Sequence, residues 1–152
     1  GAGQAGHCRP RGIAEAGDCV MRAGPLLETV LYADDIPAAQ RFYGEVLGLE
    51  TYRAMADRFA FFRCGAQMLL VFNPAFTRTQ AGDGPPAHGA SGAGHVCFRA
   101  SPAEQAAWKE HLAVRGIATE RVMDWPGGGQ SFYVRDPAGN SVEFAEARIW
   151  KL

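Results

Sequence analysis

The sequence contains an internal repeat, and no other feature constrains the fold as strongly. Within its 152 residues, the same order of predicted elements occurs twice: a strand, a helix and then three strands. Short segments also match, for example Leu47-Gly48-Leu49 and Arg115-Gly116-Ile117. A duplicated unit that cannot bury both faces of its sheet alone must pair with its copy. We therefore expect an α+β fold built from two paired units.

The first unit has the sequence signals of a strand, a helix and three further strands. Asp34 and Asp35, followed by Pro37, are typical of a helix start, and Gly48 is typical of a helix end. Apolar residues at helical spacing between them predict the helix itself. The predicted elements are a strand at 26–33, a helix at 36–47 and strands at 49–54, 58–64 and 68–72.

The second unit repeats this pattern from residue 94. Ser101 and Glu104 form a predicted capping box, with Pro102 in the first helical turn, and Gly116 ends the helix. The run of turn-forming residues at 136–140 predicts a tight turn between the last two strands. The predicted elements are a strand at 94–100, a helix at 103–115 and strands at 117–123, 130–135 and 141–146.

Two segments lie outside the repeated units. The first is rich in Gly and Ala and lacks both periodicity and the apolar centre of a signal peptide, so we predict a flexible tail. The second is a long connection rich in Gly and Pro, and such connections are often functional or mobile. The predicted organisation is a tail at 1–24 and a single domain at 25–152, with modules at 26–73 and 94–146 and a linker at 74–93.

Composition and charge exclude several classes of function. The formal net charge is −1, so no basic surplus points to nucleic acid or to an anionic membrane. No apolar run reaches the length of a membrane span. Cys64 and Cys97 lie in predicted strands, where we expect buried thiols, and the four cysteines contain no CxxC pair. This cysteine usage suits a reducing cytoplasm, which is the predicted localisation.

Alternation along the predicted strands places three ligand-type side chains on one side of the sheet. Glu28, His95 and Glu143 fall on the face opposite to the helices. A single glutamate in mid-strand is usually a solvated outer residue. Two carboxylates and an imidazole on one concave face, however, are costly unless a cation compensates them. The repeat also aligns Leu69 of the fourth strand with Glu143 of the eighth.

Three segments with this pattern resemble a known family. They are LLETVLYADDIPAAQRFYGEVLGLE, GHVCF and SFYVRDPAGNSVEF, and they occur in the expected order. Over residues 26–146 the chain resembles the vicinal oxygen chelate superfamily of glyoxalase I, extradiol dioxygenases, fosfomycin-resistance thiol transferases and bleomycin-resistance proteins. The resemblance implies paired βαβββ modules that form a cupped, eight-stranded mixed sheet with helices on the outside. It also implies one divalent metal ion, with ligands at Glu28, His95 and Glu143.

The chain departs from the family at two ligand positions. Glu28 stands where His or Gln is common, and Leu69 stands where glyoxalase I has an acidic ligand. The second departure weighs against a lactoylglutathione lyase. One imidazole with two carboxylates is a hard ligand set that does not choose between Fe, Mn, Ni, Co and Zn.

Two functions of different classes remain. The first is a metal-dependent enzyme that acts on a small oxygen-chelating substrate, with Glu143 as the catalytic residue. Isomerase, lyase, dioxygenase and thiol transferase reactions all stay open. The second is a metal-free protein of the bleomycin-resistance type, which binds an apolar or aromatic compound. The three ligand-type residues favour the enzyme, since a metal-free protein does not need them all.

Several further residues are candidates for binding the substrate. Ser131 and Tyr133 match an SxY segment that contacts the substrate in fosfomycin thiol transferases, although Tyr133 equally fits cross-strand packing. Arg99 is a candidate for an anionic substrate or a residue of the polar sheet rim. For His88 we expect a solvated loop position rather than a role as fourth ligand or acid/base group. The substrate-binding candidates are Tyr32, Phe61, Arg99, Trp125, Ser131 and Tyr133.

The resemblance also bears on assembly. In the family, modules pair either within one chain or across a dimer with exchanged halves. The linker has about twenty residues, and at roughly 3.3 Å per extended residue it permits both arrangements. Single-domain relatives of this length are typically dimers, so we expect a homodimer.

Overall fold

Each half of the chain forms its own four-stranded mixed sheet in the computed structural model, which describes residues 21–79 and 82–152. Most of the predicted flexible tail, residues 1–20, lies outside the described part. None of the helices formed by the described residues has the length and apolar character needed to cross a membrane.

The first half follows the predicted order of elements. They are β1 (Glu28–Tyr32), α1 (Ile36–Gln40, continued by a π-helical turn at Arg41–Val46), β2 (Glu50–Met55), β3 (Phe59–Cys64) and β4 (Gln67–Phe72). The strands lie side by side in the order β1-β4-β3-β2. β1 runs parallel to β4, and the other pairs are antiparallel.

The second half repeats this topology. After a short helix in the connection, α2 (Pro74–Thr77), its elements are β5 (His95–Arg99), α3 (Pro102–Ala113), β6 (Arg121–Asp124), β7 (Gln130–Arg135), β8 (Ser141–Ala145) and a final 3-10 turn (Ala147–Trp150). The strand order is β5-β8-β7-β6, with β5 parallel to β8. The prediction of two βαβββ modules is confirmed.

The predicted capping residues begin both helices, although α3 starts at Pro102, one residue before its predicted start. The Asp35 carboxylate accepts from the backbone N–H of Ala38 at 2.9 Å, and Ser101 and Glu104 form both bonds of a capping box. The π-helical turn, in which Leu47 N donates to Phe42 O at 2.9 Å, was not predicted as such. One wider turn changes the spacing of apolar residues too little to be seen in a short helix.

The two sheets do not join into one eight-stranded sheet, so that part of the predicted fold is wrong. Within the described residues, the strands that would have to pair, β1 and β5, both remain sheet edges. A side chain bridges them instead: the Asn140 amide nitrogen donates to the Tyr32 carbonyl oxygen at 3.1 Å, and Gly94 N donates to Asn140 Oδ1 at 2.7 Å. The Asn140 side chain thus bonds the Tyr32 carbonyl oxygen and the Gly94 N–H, which are backbone groups of the kind that a neighbouring strand bonds.

One face of each sheet packs into a single core shared by both halves. His111 of α3 joins the two helices, because its Nε2 lies 2.7 Å from the carbonyl oxygen of Val46. Strand residues in the core include Leu31, Phe62, Val71, Phe132, Val142 and Phe144. Their alternating neighbours lie on the opposite side of each sheet, which we call the open face because α1 and α3 pack on the other side.

A buried aspartate connects the two halves. Asp136, in the β7–β8 turn, is 5% exposed, and its Oδ2 accepts from the Tyr43 hydroxyl and from the Asn140 amide nitrogen, both at 2.8 Å. Its Oδ1 accepts from the backbone N–H groups of Ala138 at 2.9 Å and Asn140 at 2.8 Å. Both carboxylate oxygens are therefore fully used, and the β7–β8 turn is tied to α1.

Candidate functional site

Strand β8 places Glu143 at the centre of the open face of the second sheet. In the strand register, Glu143 lies between Cys97 of β5 and Tyr133 of β7. Its neighbours Val142 and Phe144 pack into the core, so alternation directs Glu143 to the open face. The side chain is only 8% exposed. Carboxylates are rarely buried to this degree without a partner.

His95 supplies a ring nitrogen that faces this carboxylate. Its Nε2 lies 3.3 Å from Oε2 of Glu143, and its Nδ1 lies 3.1 Å from the carbonyl oxygen of Ser141. A carbonyl oxygen only accepts hydrogen bonds, so Nδ1 carries a proton. Nε2 then either carries a second proton and pairs with Glu143, or presents a lone pair beside it.

The pair of His95 and Glu143 fits a divalent metal ion. An imidazole that donates from one nitrogen to a backbone carbonyl, with the other nitrogen free, is the usual form of a metal-ligating histidine. Bonds from a metal to imidazole and carboxylate are each about 2.1 Å long, so adjacent ligand atoms lie roughly 3 Å apart. The distance between Nε2 and Oε2 matches that spacing. The structure thus brings two of the three predicted ligands together.

The third predicted ligand, Glu28, does not join the pair within the chain. Among the described residues, no three His, Cys, Asp or Glu side chains lie close enough together to hold a metal ion. Glu28 begins the edge strand β1 on the first sheet and is exposed.

The register corrects the alignment of Leu69 with Glu143. Glu28 of β1 pairs with Met68, and His95 of β5 pairs with Ser141. Leu70 lies two residues after Met68, and Glu143 lies two residues after Ser141. Leu70, rather than Leu69, is therefore the counterpart of Glu143 in the first half. Leu69 faces the core instead. Since Leu70 is also apolar, the position still lacks an acidic ligand.

Three other predicted residues form hydrogen bonds, one of which reaches Glu143. The Tyr133 hydroxyl donates to Oε1 of Glu143 at 2.7 Å, and Trp125 Nε1 donates to Ser131 Oγ at 3.0 Å. Burial raises the pKa of Tyr133; the Ser131 hydroxyl opposes this effect and Glu143 reinforces it. The phenol therefore stays protonated and holds Glu143 with Oε2 toward His95.

Cys97 adjoins Glu143 but has a different environment from the one predicted. It is solvent-exposed in the single chain and Cys64 is half-buried, so the expectation of two buried thiols is wrong. Although the residue is exposed, the surrounding sheet removes part of the water from around its thiol; this partial desolvation, followed by the negative charge of Glu143, raises the pKa of the Cys97 thiol to about 12. Cys97 is therefore a neutral thiol near neutral pH.

The predicted arginine candidate lies at the end of the same strand as His95. Arg99 is exposed on the open face of the second sheet. Arg135, on the same face, is held by Glu120 through hydrogen bonds of 2.7 and 3.0 Å, which lower the pKa of Glu120. This ion pair leaves Arg99, rather than Arg135, for an anionic ligand on this sheet.

The remaining candidates, Tyr32 and Phe61, lie on the open face of the first sheet. The structure also places His88 there, half-buried, with Nδ1 2.7 Å from the Tyr32 hydroxyl. The expectation of a solvated loop histidine is therefore wrong. Sequence analysis also missed Phe59 and Phe72 as neighbours of Phe61 on this face. Phe59 could have been predicted, because it alternates with Ala60, which is buried, and so lies on the same face as Phe61.

The chain belongs to the Glyoxalase/Bleomycin resistance protein/Dioxygenase superfamily, whose family model matches residues 26–144. Among solved structures, lactoylglutathione lyase from Agrobacterium tumefaciens is 43% identical, covers 86% of this chain and 99% of its own, and has a TM-score of 0.83. A glyoxalase family protein from Enterococcus faecalis is 25% identical, with coverages of 80% and 97% and a TM-score of 0.59.

A third structure, a glyoxalase/bleomycin resistance protein/dioxygenase from Nocardioides, is 24% identical, with coverages of 84% and 86% and a TM-score of 0.68. At this identity the similarity supports the fold alone. No curated protein matches the chain by sequence. The family resemblance seen in the sequence is thus confirmed.

Proposed function

We propose that the protein is a metal-dependent enzyme that acts on a small oxygen-chelating substrate, with lyase-type chemistry. The observation that carries the proposal is the spacing of His95 Nε2 and Glu143 Oε2, at 3.3 Å, with the opposite ring nitrogen held by a backbone carbonyl. The 43% identity to a lactoylglutathione lyase supports the lyase class. Leu70 stands where glyoxalase I has an acidic ligand, and this difference argues against the substrate of a lactoylglutathione lyase.

The metal would be held by His95, Glu143 and Glu28. When bound, a divalent ion stabilises negative charge that develops on a substrate oxygen. Tyr133 keeps Oε1 of Glu143 occupied by a hydrogen bond and so orients the carboxylate. A carboxylate fixed in this way can accept a proton from a neighbouring substrate atom, which is the catalytic role we assign to Glu143.

We further propose that two chains complete each site. Glu28 and the pair of His95 and Glu143 lie on the open faces of different sheets, and the described chain gathers no group of three ligands. In a homodimer with exchanged halves, Glu28 of one chain meets His95 and Glu143 of its partner. A closed two-fold arrangement of this kind makes two equal sites.

Removing one charged ligand should weaken metal binding and lower the metal content of the purified protein. We expect Glu143→Gln to weaken metal affinity at least tenfold, because a neutral amide replaces an anionic donor. Metal content is measured by plasma mass spectrometry on protein purified without chelator. Glu110→Gln, an exposed change on α3, is the matched control and should keep the wild-type content. Unchanged metal content in Glu143→Gln would rule out this site.

Tyr133→Phe tests the orientation of Glu143 separately from its charge. The change removes one hydroxyl and keeps the ring, so we expect metal affinity to fall about tenfold, as for other groups that orient a ligand. The pH dependence of metal binding should keep its form, because His95, Glu143 and Glu28 all remain. Binding is measured by calorimetric titration of metal into stripped protein. An affinity equal to that of wild type would show that the 2.7 Å hydrogen bond does not orient the ligand.

A metal-free binding protein remains the second candidate, because aromatic side chains cover the open face of the first sheet. That function predicts purified protein without stoichiometric metal. It also predicts that an aromatic compound binds equally well to wild type and to Glu143→Gln. The metal measurement above therefore decides between the two functions.

A further inference from the structure

Five aromatic rings form a continuous belt on the open face of the first sheet. Phe59 and Phe61 are stacked with their centroids 4.3 Å apart, and Phe61 meets Phe72 edge-on at 5.2 Å. Phe72 meets the ring of His88 at 5.0 Å, and His88 lies 5.8 Å from Tyr32. All five side chains are half-buried, so part of each remains accessible.

The belt is separate from the hydrophobic core. Ala60 and Phe62, which are fully buried, lie on the face of β3 that packs with α1. Alternation places Phe61 on the other face, and the register sets Phe59 opposite Phe72 there. A contiguous aromatic surface that is partly accessible to solvent is typical of a ligand-binding wall.

Arg53 adds a positive charge at one end of the belt. It is the register partner of Phe61, and its Cζ lies 5.7 Å from the centroid of the Phe59 ring. Within the described ranges no carboxylate forms an ion pair with Arg53, whereas Arg58 and Arg63 each have one. The guanidinium of Arg53 is therefore available to an anionic ligand.

His88 places a polar group at the other end. Its backbone N–H donates to the Thr77 carbonyl oxygen at 3.1 Å, and its Nδ1 lies 2.7 Å from the Tyr32 hydroxyl. With that hydroxyl as the donor, a neutral His88 carries its proton on Nε2. No described residue bonds Nε2, so the ring offers a donor beside Phe72.

We propose that this belt binds an aromatic group of the substrate that carries an anionic oxygen substituent, with Arg53 binding the anion. The inference rests on the proposed function for placing the belt in the active site. A flat ring can stack on Phe59 and Phe61 or meet them edge-on, and a guanidinium binds a carboxylate through two parallel hydrogen bonds. A saturated ring lacks the first interaction, and a neutral alcohol lacks the second.

The test compares three probes of similar size on the purified full chain: 2-naphthoate, 2-naphthalenemethanol and decahydro-2-naphthoate. We expect 2-naphthoate to bind about tenfold more tightly than either other probe, measured by titration calorimetry. Arg53→Gln should abolish the preference for the acid over the alcohol. Phe61→Leu should abolish the preference for the aromatic over the saturated acid. Arg41→Gln, exposed on the helical side, is the control and should change nothing.

Two results would overturn the proposal. One is equal affinity for all three probes, or no binding of any. The other is loss of the preference for 2-naphthoate when a chelator is added, since a metal rather than Arg53 would then bind the carboxylate. Because Arg53 is exposed, Arg53→Gln remains informative even if Phe61→Leu does not fold. Metal content in Glu143→Gln is a separate measurement, so failure of the proposed function and failure of this inference are distinguishable.

Discussion

A mixture of two variants that each fail to bind metal should regain about a quarter of the wild-type metal content after co-refolding. The variants are Glu28→Ala and the double variant His95→Ala/Glu143→Ala. In a dimer with exchanged halves, a mixed dimer has one site with all the defects and one intact site. Random assortment makes about half of the dimers mixed, and half of their sites intact, which gives the quarter.

The controls for this experiment are each variant refolded alone, which should contain no stoichiometric metal. If each chain builds its own site, every subunit in the mixture lacks at least one ligand, and the mixture would then bind no stoichiometric metal. Light scattering gives an independent check, because a monomer at micromolar concentration excludes exchanged halves without any mutant. Calorimetric titration of the mixture should also show the wild-type affinity for the restored sites, since their ligands are unchanged.

Local signals predicted most of the secondary structure, because strands, caps and turns depend on residues close in sequence. Asp35 and Ser101 act as helix caps through bonds that span three residues. Strand β6 shows the limit: it begins at Arg121 rather than at 117. Residues 117–119 have strand-like composition but no register partner in β7, and Glu120 makes only one backbone bond to it, from its N–H to the Tyr133 carbonyl oxygen at 2.8 Å. Propensity predicts that a segment can be a strand, and only pairing decides where it is one.

How the two halves pack together could not be predicted, because it depends on contacts between residues far apart in the sequence. Asn140 was predicted as a turn residue, but its side chain also bonds the Tyr32 carbonyl oxygen from 108 positions away. The one-residue error at Leu69 has a similar origin. Two adjacent leucines, Leu69 and Leu70, give no sign of which one faces the core, and a shift of one residue exchanges the faces of a strand.

The candidate site was predictable where side-chain chemistry and strand alternation agreed. His95, Glu143 and Tyr133 are polar residues between apolar ones, and all three lie on the open face. His88 was misplaced because its position depends on Tyr32, which lies 56 positions away. Gly and Pro around His88 predict a loop but not the surface on which that loop lies.

The second large effect expected is on stability, and it concerns the buried carboxylate of Asp136. We expect Asp136→Ala to lower the free energy of unfolding by about 4 kcal/mol, because four hydrogen bonds to a charged group are lost and buried donors are left without partners. Tyr43→Phe removes only one of these bonds and should cost about 1.5 kcal/mol. Asp57→Ala is the exposed control and should cost less than about 0.5 kcal/mol.

Tyr43→Phe should also change how stability depends on pH. Burial, followed by the charge of Asp136, raises the pKa of Tyr43 far above its ordinary value. A group whose pKa is raised on folding contributes its stability below the pKa of the unfolded chain, about 10 for tyrosine, and loses it as the pH rises further. Wild type should therefore lose stability above about pH 10 more steeply than Tyr43→Phe. Urea unfolding at several alkaline pH values measures this difference, and parallel curves for the two proteins would show that Tyr43 is not a buried, protonated partner of Asp136.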